Sequence, residues 1–184
     1  MTKPVIEVSK FLSYILRHEP DAIGIELDPE GWANIEELIA NSDVPLTRGL
    51  LNEVVANSDK RRFSISADGL FIRANQGHSI VVDLGLEPRQ PPELLFHGTA
   101  TRFLDQIITQ GLLPQSRQYV HLSDDKATAT KVGQRHGTPI ILTIPALQMH
   151  GLGHQFFQAR NGVWLTTEIE PQYLQMSSDD SAIT

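Results

Sequence analysis

Residues 62–73 read Arg62-Phe63-Ser64-Ile65-Ser66-Ala67-Asp68-Gly69-Leu70-Phe71-Ile72-Arg73. Two short β-rich runs flank an Asp-Gly pair, and that pair tolerates the unusual backbone angles of a tight turn, so the stretch predicts a β-hairpin. What precedes it is helical. Val8, Phe11, Leu12, Ile15 and Leu16 recur at the spacing of one helix face. Pro20 biases Glu19 away from helical angles, so this helix should end near Arg17-His18, with two basic residues in its last turn. Ile23 to Leu27 alternates like a short strand, and Asp28-Pro29-Glu30-Gly31 has turn chemistry. Asn34 is placed to cap a second helix carrying Ile35, Leu38 and Ile39, with Glu37 three residues past the cap. Thr47 is placed to cap a third, with Leu50, Leu51, Val54 and Val55 on its apolar side. Helices followed by a hairpin predict a helix-turn-helix core with a wing.

After the hairpin, Pro88-Arg89-Gln90-Pro91-Pro92 is a stiff, polar break that reads as a linker. It divides an α+β chain into lobes at residues 1–90 and 91–184. Beyond it the texture changes to short apolar runs. Leu94-Leu95-Phe96 predicts a strand; Phe103, Leu104, Ile107 and Ile108 predict a helix closed by Gly111. Residues 119–123 and 140–144 read as strands, as does Val163-Trp164-Leu165-Thr166 after the Asn161-Gly162 turn. From Met176 onward the Ser/Asp-rich tail is expected to be disordered.

Composition narrows the function classes. The chain of 184 residues is 40% hydrophobic and 20% charged, ordinary for a globular protein. It has no apolar run near the ~20 residues of a membrane helix, and Met1-Thr2-Lys3-Pro4 lacks the apolar core of a signal peptide. Zero cysteines exclude disulfides, thiolate chemistry and the usual zinc sites. The histidines show no HExxH spacing, so no metal is expected. A cytoplasmic monomer is the expectation. The net charge is -7, and both sides of Pro92 are acidic: 9 Lys/Arg against 14 Asp/Glu before it, 6 against 8 after it. Any nucleic-acid contact must therefore come from a small local cluster of cations. Gly151-Leu152-Gly153 lacks the third glycine of a dinucleotide fingerprint, and no phosphate-binding P-loop is present.

Several polar groups remain. Arg17-His18 fits two readings: cations complementing a helix C-terminus, or a phosphate site in which a guanidinium forks onto two oxygens and an imidazolium donates a third bond. Lys60-Arg61-Arg62-Phe63, at the hairpin entry, is a solvated charge run or a phosphate-contacting wing. Residues 73–79, Arg73-Ala74-Asn75-Gln76-Gly77-His78-Ser79, crowd hydrogen-bonding side chains around a glycine where backbone can approach a ligand, although a plain polar loop also fits. In the second half, Phe96-His97-Gly98-Thr99 puts a polar triplet directly after an apolar strand. Together with Tyr119-Val120-His121-Leu122-Ser123 and Gly133-Gln134-Arg135-His136-Gly137 it suggests a ligand cleft.

Residues 9–18 (Ser9-Lys10-Phe11-Leu12-Ser13-Tyr14-Ile15-Leu16-Arg17-His18), Gly31-Trp32, Lys60-Arg61-Arg62-Phe63, Ile72-Arg73-Ala74, Gln76-Gly77-His78-Ser79, Phe96-His97-Gly98-Thr99 and Val120-His121-Leu122-Ser123 closely resemble, in order, the motifs of the RNA 2′-phosphotransferase (KptA) family. The resemblance runs from about Ser9 to about Leu174. It implies an N-terminal winged-helix lobe that binds RNA and a C-terminal lobe of the ADP-ribosyltransferase fold that binds NAD. His97 and His121 resemble that superfamily's two NAD-anchoring positions, flanked by Gly98, Thr99 and Ser123, with Arg135, His136 and Gly137 completing the cofactor side. The acidic residue that many protein-modifying relatives carry is absent near Val163, which suits a phosphate nucleophile.

The reaction implied has two steps. The RNA 2′-phosphate attacks the nicotinamide ribose, releasing nicotinamide and leaving RNA-2′-phospho-ADP-ribose. The ribose 2″-hydroxyl then attacks phosphorus, giving RNA with a free 2′-OH and ADP-ribose 1″,2″-cyclic phosphate. The family's Arg-His-Arg-Arg set matches Arg17, His18, Arg62 (or Arg73) and Arg117, with Arg73, Gln76, His78 and Ser79 on the substrate side. The substrate implied is a 2′-phosphorylated RNA, tRNA being one candidate. An alternative keeps the fold but stops after ADP-ribosylating a nucleic-acid phosphate or a protein. A winged-helix regulator without catalysis would leave His97 and His121 unused.

Overall fold

The computed structural model describes residues 3–58 and 61–176, and the chain divides into two compact units at Gly85 and Leu86. The first unit opens with helix α1, Lys3–Ile15, whose Val5, Val8, Leu12 and Ile15 are buried in one core. The regular helix stops at Ile15, but the turn runs on: the amides of His18 and Glu19 both donate to the Tyr14 carbonyl, at 3.0 and 3.2 Å. Pro20 then starts a single 3-10 turn, Pro20–Ile23, closed by Gly24 at φ 67. The strand expected from Ile23 to Leu27 is therefore not formed. Ile25 is buried against the core and its amide bonds back to Pro20, so the alternation reflects burial without a sheet partner.

Both predicted caps are made. Asn34 accepts from the Glu37 amide at 3.1 Å to begin α2, Ile35–Ala40, and Thr47 accepts from the Leu50 amide at 3.2 Å to begin α3, Arg48–Ala56. The hairpin forms as β2, Phe63–Ile65, and β3, Phe71–Ala74, in the register Phe63↔Ala74 and Ile65↔Ile72. A two-residue strand β1, Ala33–Asn34, pairs with the far side of β3, so the sheet order is β1-β3-β2. Lys60 of the basic run lies outside the described residues, as does the tail beyond Met176.

The second unit holds two antiparallel three-stranded sheets. In one, β4, Leu95–Ala100, pairs along its whole length with β6, Pro139–Ile144, and β9, Gln175–Met176, lies on the other side of β6. In the other, β8, Trp164–Thr166, lies between β5, Val120–Leu122, and β7, Phe157–Gln158. Reciprocal 2.8 Å main-chain bonds between Phe96 and Ser123 tie the two sheets together. The predicted helix forms as α4, Leu104–Gln110, with Gly111 after it at φ 83. Two further helices, α5, Lys126–Gly133, and α6, Ala146–Gly151, carry no strong apolar stripe in the sequence.

The polar triplet 97–99 lies inside β4 rather than beyond it, because β6 offers a ladder as far as Ala100. Strand alternation puts His97 and Thr99 on one face and Phe96 and Gly98 on the other. The second face seats α5. A Cβ on Gly98 would fall 1.7 Å from the Ala129 carbonyl oxygen, and one on Gly133 would fall 2.5 Å from the Thr99 carbonyl oxygen. Gly98 is thus required by helix packing, a reason the sequence did not disclose. Gly98→Ala should lower unfolding stability by about 3 kcal/mol, the upper end of ordinary overpacking costs. Gly151→Ala, with nothing within 4 Å, should be neutral or slightly stabilising. Urea unfolding of the two variants checks both outcomes.

Candidate functional site

In the first unit, the turn carrying Arg17 and His18 is pinned by the loop after β3. The Ser79 amide donates to the Arg17 carbonyl at 3.0 Å, and Ser79 Oγ lies 2.8 Å from His18 Nδ1 and 3.4 Å from the same carbonyl. A carbonyl only accepts, so a hydroxyl proton given to it leaves the Ser79 lone pair for His18 Nδ1–H. In that arrangement the Nδ1 proton is committed to Ser79. Gly77 lets the loop cross Arg17: its φ is 91, and an added Cβ would sit 3.6 Å from the guanidinium. The guanidinium itself lies 5.9 Å from the centre of the Phe63 ring.

Arg62 and His18 line one groove of about 420 Å³. Its backbone is held by Asn75, whose amide donates to the Arg62 carbonyl at 2.9 Å. The Asn75 side chain, 5% exposed, donates to the Arg61 carbonyl at 2.5 Å and accepts from Ser64 Oγ at 2.7 Å. Arg61 is held at φ 40, a conformation costly for a residue with a Cβ. Asn75 therefore fixes the strained turn that aims Arg62. The sequence showed a polar loop here but not which residue anchored it.

Arg73 is committed elsewhere. It is 4% exposed, stacks 4.5 Å over the Trp32 ring, donates to the Glu30 carbonyl at 3.2 Å and lies 3.6 Å from the Glu30 carboxylate. His78, 2% exposed, has both ring nitrogens buried with no hydrogen-bond partner among the described residues. Burial, followed by the charges of Arg17, His18 and Arg73, pushes its pKa down to about 4. It is a neutral ring among cations. Gln76 is half-buried in the same loop.

In the second unit, His97 Nδ1 donates to the His121 carbonyl at 3.1 Å. Burial holds the His97 pKa below its ordinary value; the bond to His121 opposes this and the Arg117 charge adds to it. At neutral pH, His97 is uncharged with its proton on Nδ1, so Nε2 is an acceptor. Arg117, in the turn ahead of β5, is also shifted downward, first by burial and then by the charge of Arg135. His97, Arg117 and Arg135 therefore share one electrostatic neighbourhood. Ser123 contributes through its main chain, Thr99 is buried, and Gly98 is taken up by α5. His136 sits edge-on to Phe103 with ring centres 6.5 Å apart, and Gly137, at φ 139, lies beside Ala100. Among the described residues no group of three or more His, Cys, Asp or Glu could hold a metal, and no helix is long and apolar enough to cross a membrane.

Comparison with known proteins bears on both units at once. The family model described as RNA 2′-phosphotransferase, Tpt1 / KptA family, matches residues 3–168. The chain belongs to the RNA 2′-phosphotransferase family. A protein of Pectobacterium carotovorum named probable RNA 2′-phosphotransferase is 60% identical over 172 residues, covering 91% of this chain and 92% of its own length. Proteins of the same name from Agrobacterium fabrum and Acaryochloris marina are 55% and 54% identical, each covered to at least 95% of its length. Membership of the RNA 2′-phosphotransferase family makes this chain a transferase enzyme and spans every cation and histidine described above.

The buried His78 gives the first unit a pH signature. Its folded pKa is depressed, so its contribution is fully present above the unfolded value of 6.5 and is lost as pH falls toward 4. The loss should reach roughly 2–3 kcal/mol near pH 4.5. His78→Gln should flatten that slope whatever it does to stability at pH 7.5. Urea unfolding at the two pH values measures it, and an unchanged slope in the variant would exclude His78 as its source.

Proposed function

We propose that this chain removes an internal 2′-phosphate from RNA by transferring it to the ADP-ribose of NAD. The products are RNA with a 2′-OH, ADP-ribose 1″,2″-cyclic phosphate and nicotinamide, formed through RNA-2′-phospho-ADP-ribose. The observation that carries this reading is the pinning of the Arg17-His18 turn by Ser79 beside a groove shared by His18 and Arg62, in a chain matched to the family over residues 3–168.

The first unit is read as a winged-helix RNA-binding lobe. Its helix–strand–helix–helix–hairpin order and its β1-β3-β2 sheet support that. The second is read as an ADP-ribosyltransferase-fold lobe that binds NAD without Rossmann glycines, supported by its paired antiparallel sheets joined at Phe96 and Ser123. The residues fit a dinucleotide chemically. His97 Nε2 is an acceptor suited to a sugar hydroxyl, and Arg117 and Arg135 provide positive charge suited to phosphate oxygens.

Phosphate handling is assigned to Arg17, His18 and Arg62, with Arg117 as the fourth member. A 2′-phosphate brings nearly two charges. The attack on phosphorus spreads further charge over its oxygens, which fixed guanidinium donors stabilise without reorganising. His18 Nε2 donates to a phosphate oxygen when protonated and takes a proton when neutral. Arg73 is assigned a positioning role through Trp32 and Glu30, and His78 keeps the loop behind Arg17 free of further charge.

An oligonucleotide with one internal 2′-phosphate should lose it only when NAD is supplied, with nicotinamide and the cyclic phosphate appearing together. Undiminished turnover without NAD would overturn the proposal. Arg17→Ala and Arg62→Ala should slow the second step by roughly 10²–10³, so that RNA-2′-phospho-ADP-ribose accumulates. His97→Ala should instead impair its formation. A time course that resolves substrate, intermediate and product separates these outcomes; proportional loss of both steps in the arginine variants would make their role RNA docking.

A further inference from the structure

The groove shared by His18 and Arg62 runs along a face of α1 for which nothing above provides a use. Besides those two residues it is lined by Ile6, Ser9, Lys10, Ser13 and Tyr14. Ile6, Lys10, Ser13 and Tyr14 follow the i, i+4, i+7, i+8 spacing of a single helix face, apart from the buried stripe of Val5, Val8, Leu12 and Ile15. That face leads toward the site. The Tyr14 carbonyl accepts from the His18 and Glu19 amides, so the Tyr14 backbone is set one turn before His18.

Each group on this face has a defined capacity. Tyr14 is 51% exposed and Ile6 43%, leaving an aromatic ring and an aliphatic side chain open to solvent beside the cations. Ser13 Oγ donates its proton to the Ser9 carbonyl at 2.7 Å, so what it offers the groove is acceptor lone pairs. Lys10 and Arg62 supply positive charge in a chain of net charge -7. A volume of about 420 Å³ lies within the range of small-ligand sites and suits a nucleotide-sized group. An exposed aromatic flanked by cations, with an acceptor alongside, is the chemistry that holds an unstacked nucleobase and its phosphate.

We infer that this groove is a subsite for the unpaired nucleotide adjoining the 2′-phosphorylated residue, with its base stacked on Tyr14 and its backbone phosphate beside Lys10. The inference rests on the proposed RNA substrate and adds to it a preference for single-stranded surroundings. Stacking one base is worth about 1–3 kcal/mol, of the order of tenfold in affinity. A helical face that is only solvated would give no such discrimination.

The test uses the full chain and single-stranded hexamers with one internal 2′-phosphate. One hexamer is intact, and two carry an abasic residue immediately 5′ or 3′ of the phosphorylated position. For the unaltered protein, one abasic flank should raise KM about tenfold and the other should not. Tyr14→Ala should show that higher KM on the intact hexamer and no further penalty on the sensitive abasic one, while Tyr14→Trp should restore the difference. Lys10→Ala should lower the salt dependence of binding by about one phosphate contact. Penalties of Tyr14→Ala and the abasic flank that multiply, or a fall in kcat with KM unmoved, would overturn the subsite. Binding of the same hexamers, followed by fluorescence anisotropy, decides the subsite even without turnover; absent turnover would count against the proposed function alone.

Discussion

The first unit depends on a main-chain hydrogen bond between two distant segments: the Ser79 amide donating to the Arg17 carbonyl. A helix C-terminus leaves carbonyls without partners, and here one of them is satisfied by a residue 62 positions further on. That bond fixes the turn that Pro20 forces α1 to make. Around it, Ser79 Oγ selects a nitrogen of His18, Gly77 gives clearance to Arg17, and Asn75 holds the Arg61 carbonyl that precedes Arg62. Arg17, His18 and Arg62, from two separate stretches, are thus held by hydrogen-bonded main chain, which does not respond to solvent screening as surface ion pairs do.

Charge is managed by subtraction as much as by addition. In an acidic chain the clustered basic residues stand out, and within the first unit two of them are treated differently. Arg73 is stacked and paired with Glu30, so its charge is largely answered. His78, buried among cations, is kept neutral rather than adding to their repulsion. In the second unit, burial and the proximity of Arg135 depress the Arg117 pKa, and His97 is held neutral.

What the sequence disclosed was what depends on local chemistry. Asn34 and Thr47 each had a side-chain acceptor beside a helix start, and Asp68-Gly69 sat between strand-forming runs, so those elements were legible. The strand expected at residues 23–27 was not, because alternation reports burial and only a neighbour supplies a ladder. The extent of β4 through Ala100 was hidden for the converse reason: its polar residues are held in a strand by β6, some forty positions away. Helix α5, rich in β-branched residues, owes its place to packing at Gly98 and Gly133 more than to an apolar stripe. The candidate site residues were picked out by motif, while the supporting parts played by Asn75 and Gly98 required three-dimensional distances.

The bond from His97 to the His121 carbonyl also bears on strand register. Strand β5 has only three residues, too few to set its own alignment firmly, and a slip of one residue would reverse which side chains face inward. Successive carbonyls along a strand point in opposite directions. The imidazole therefore finds an acceptor only when β5 is aligned so that residue 121 turns its oxygen toward β4. The ring proposed to meet a ligand thus also acts as a check on assembly, and a misaligned strand would leave a buried donor unsatisfied.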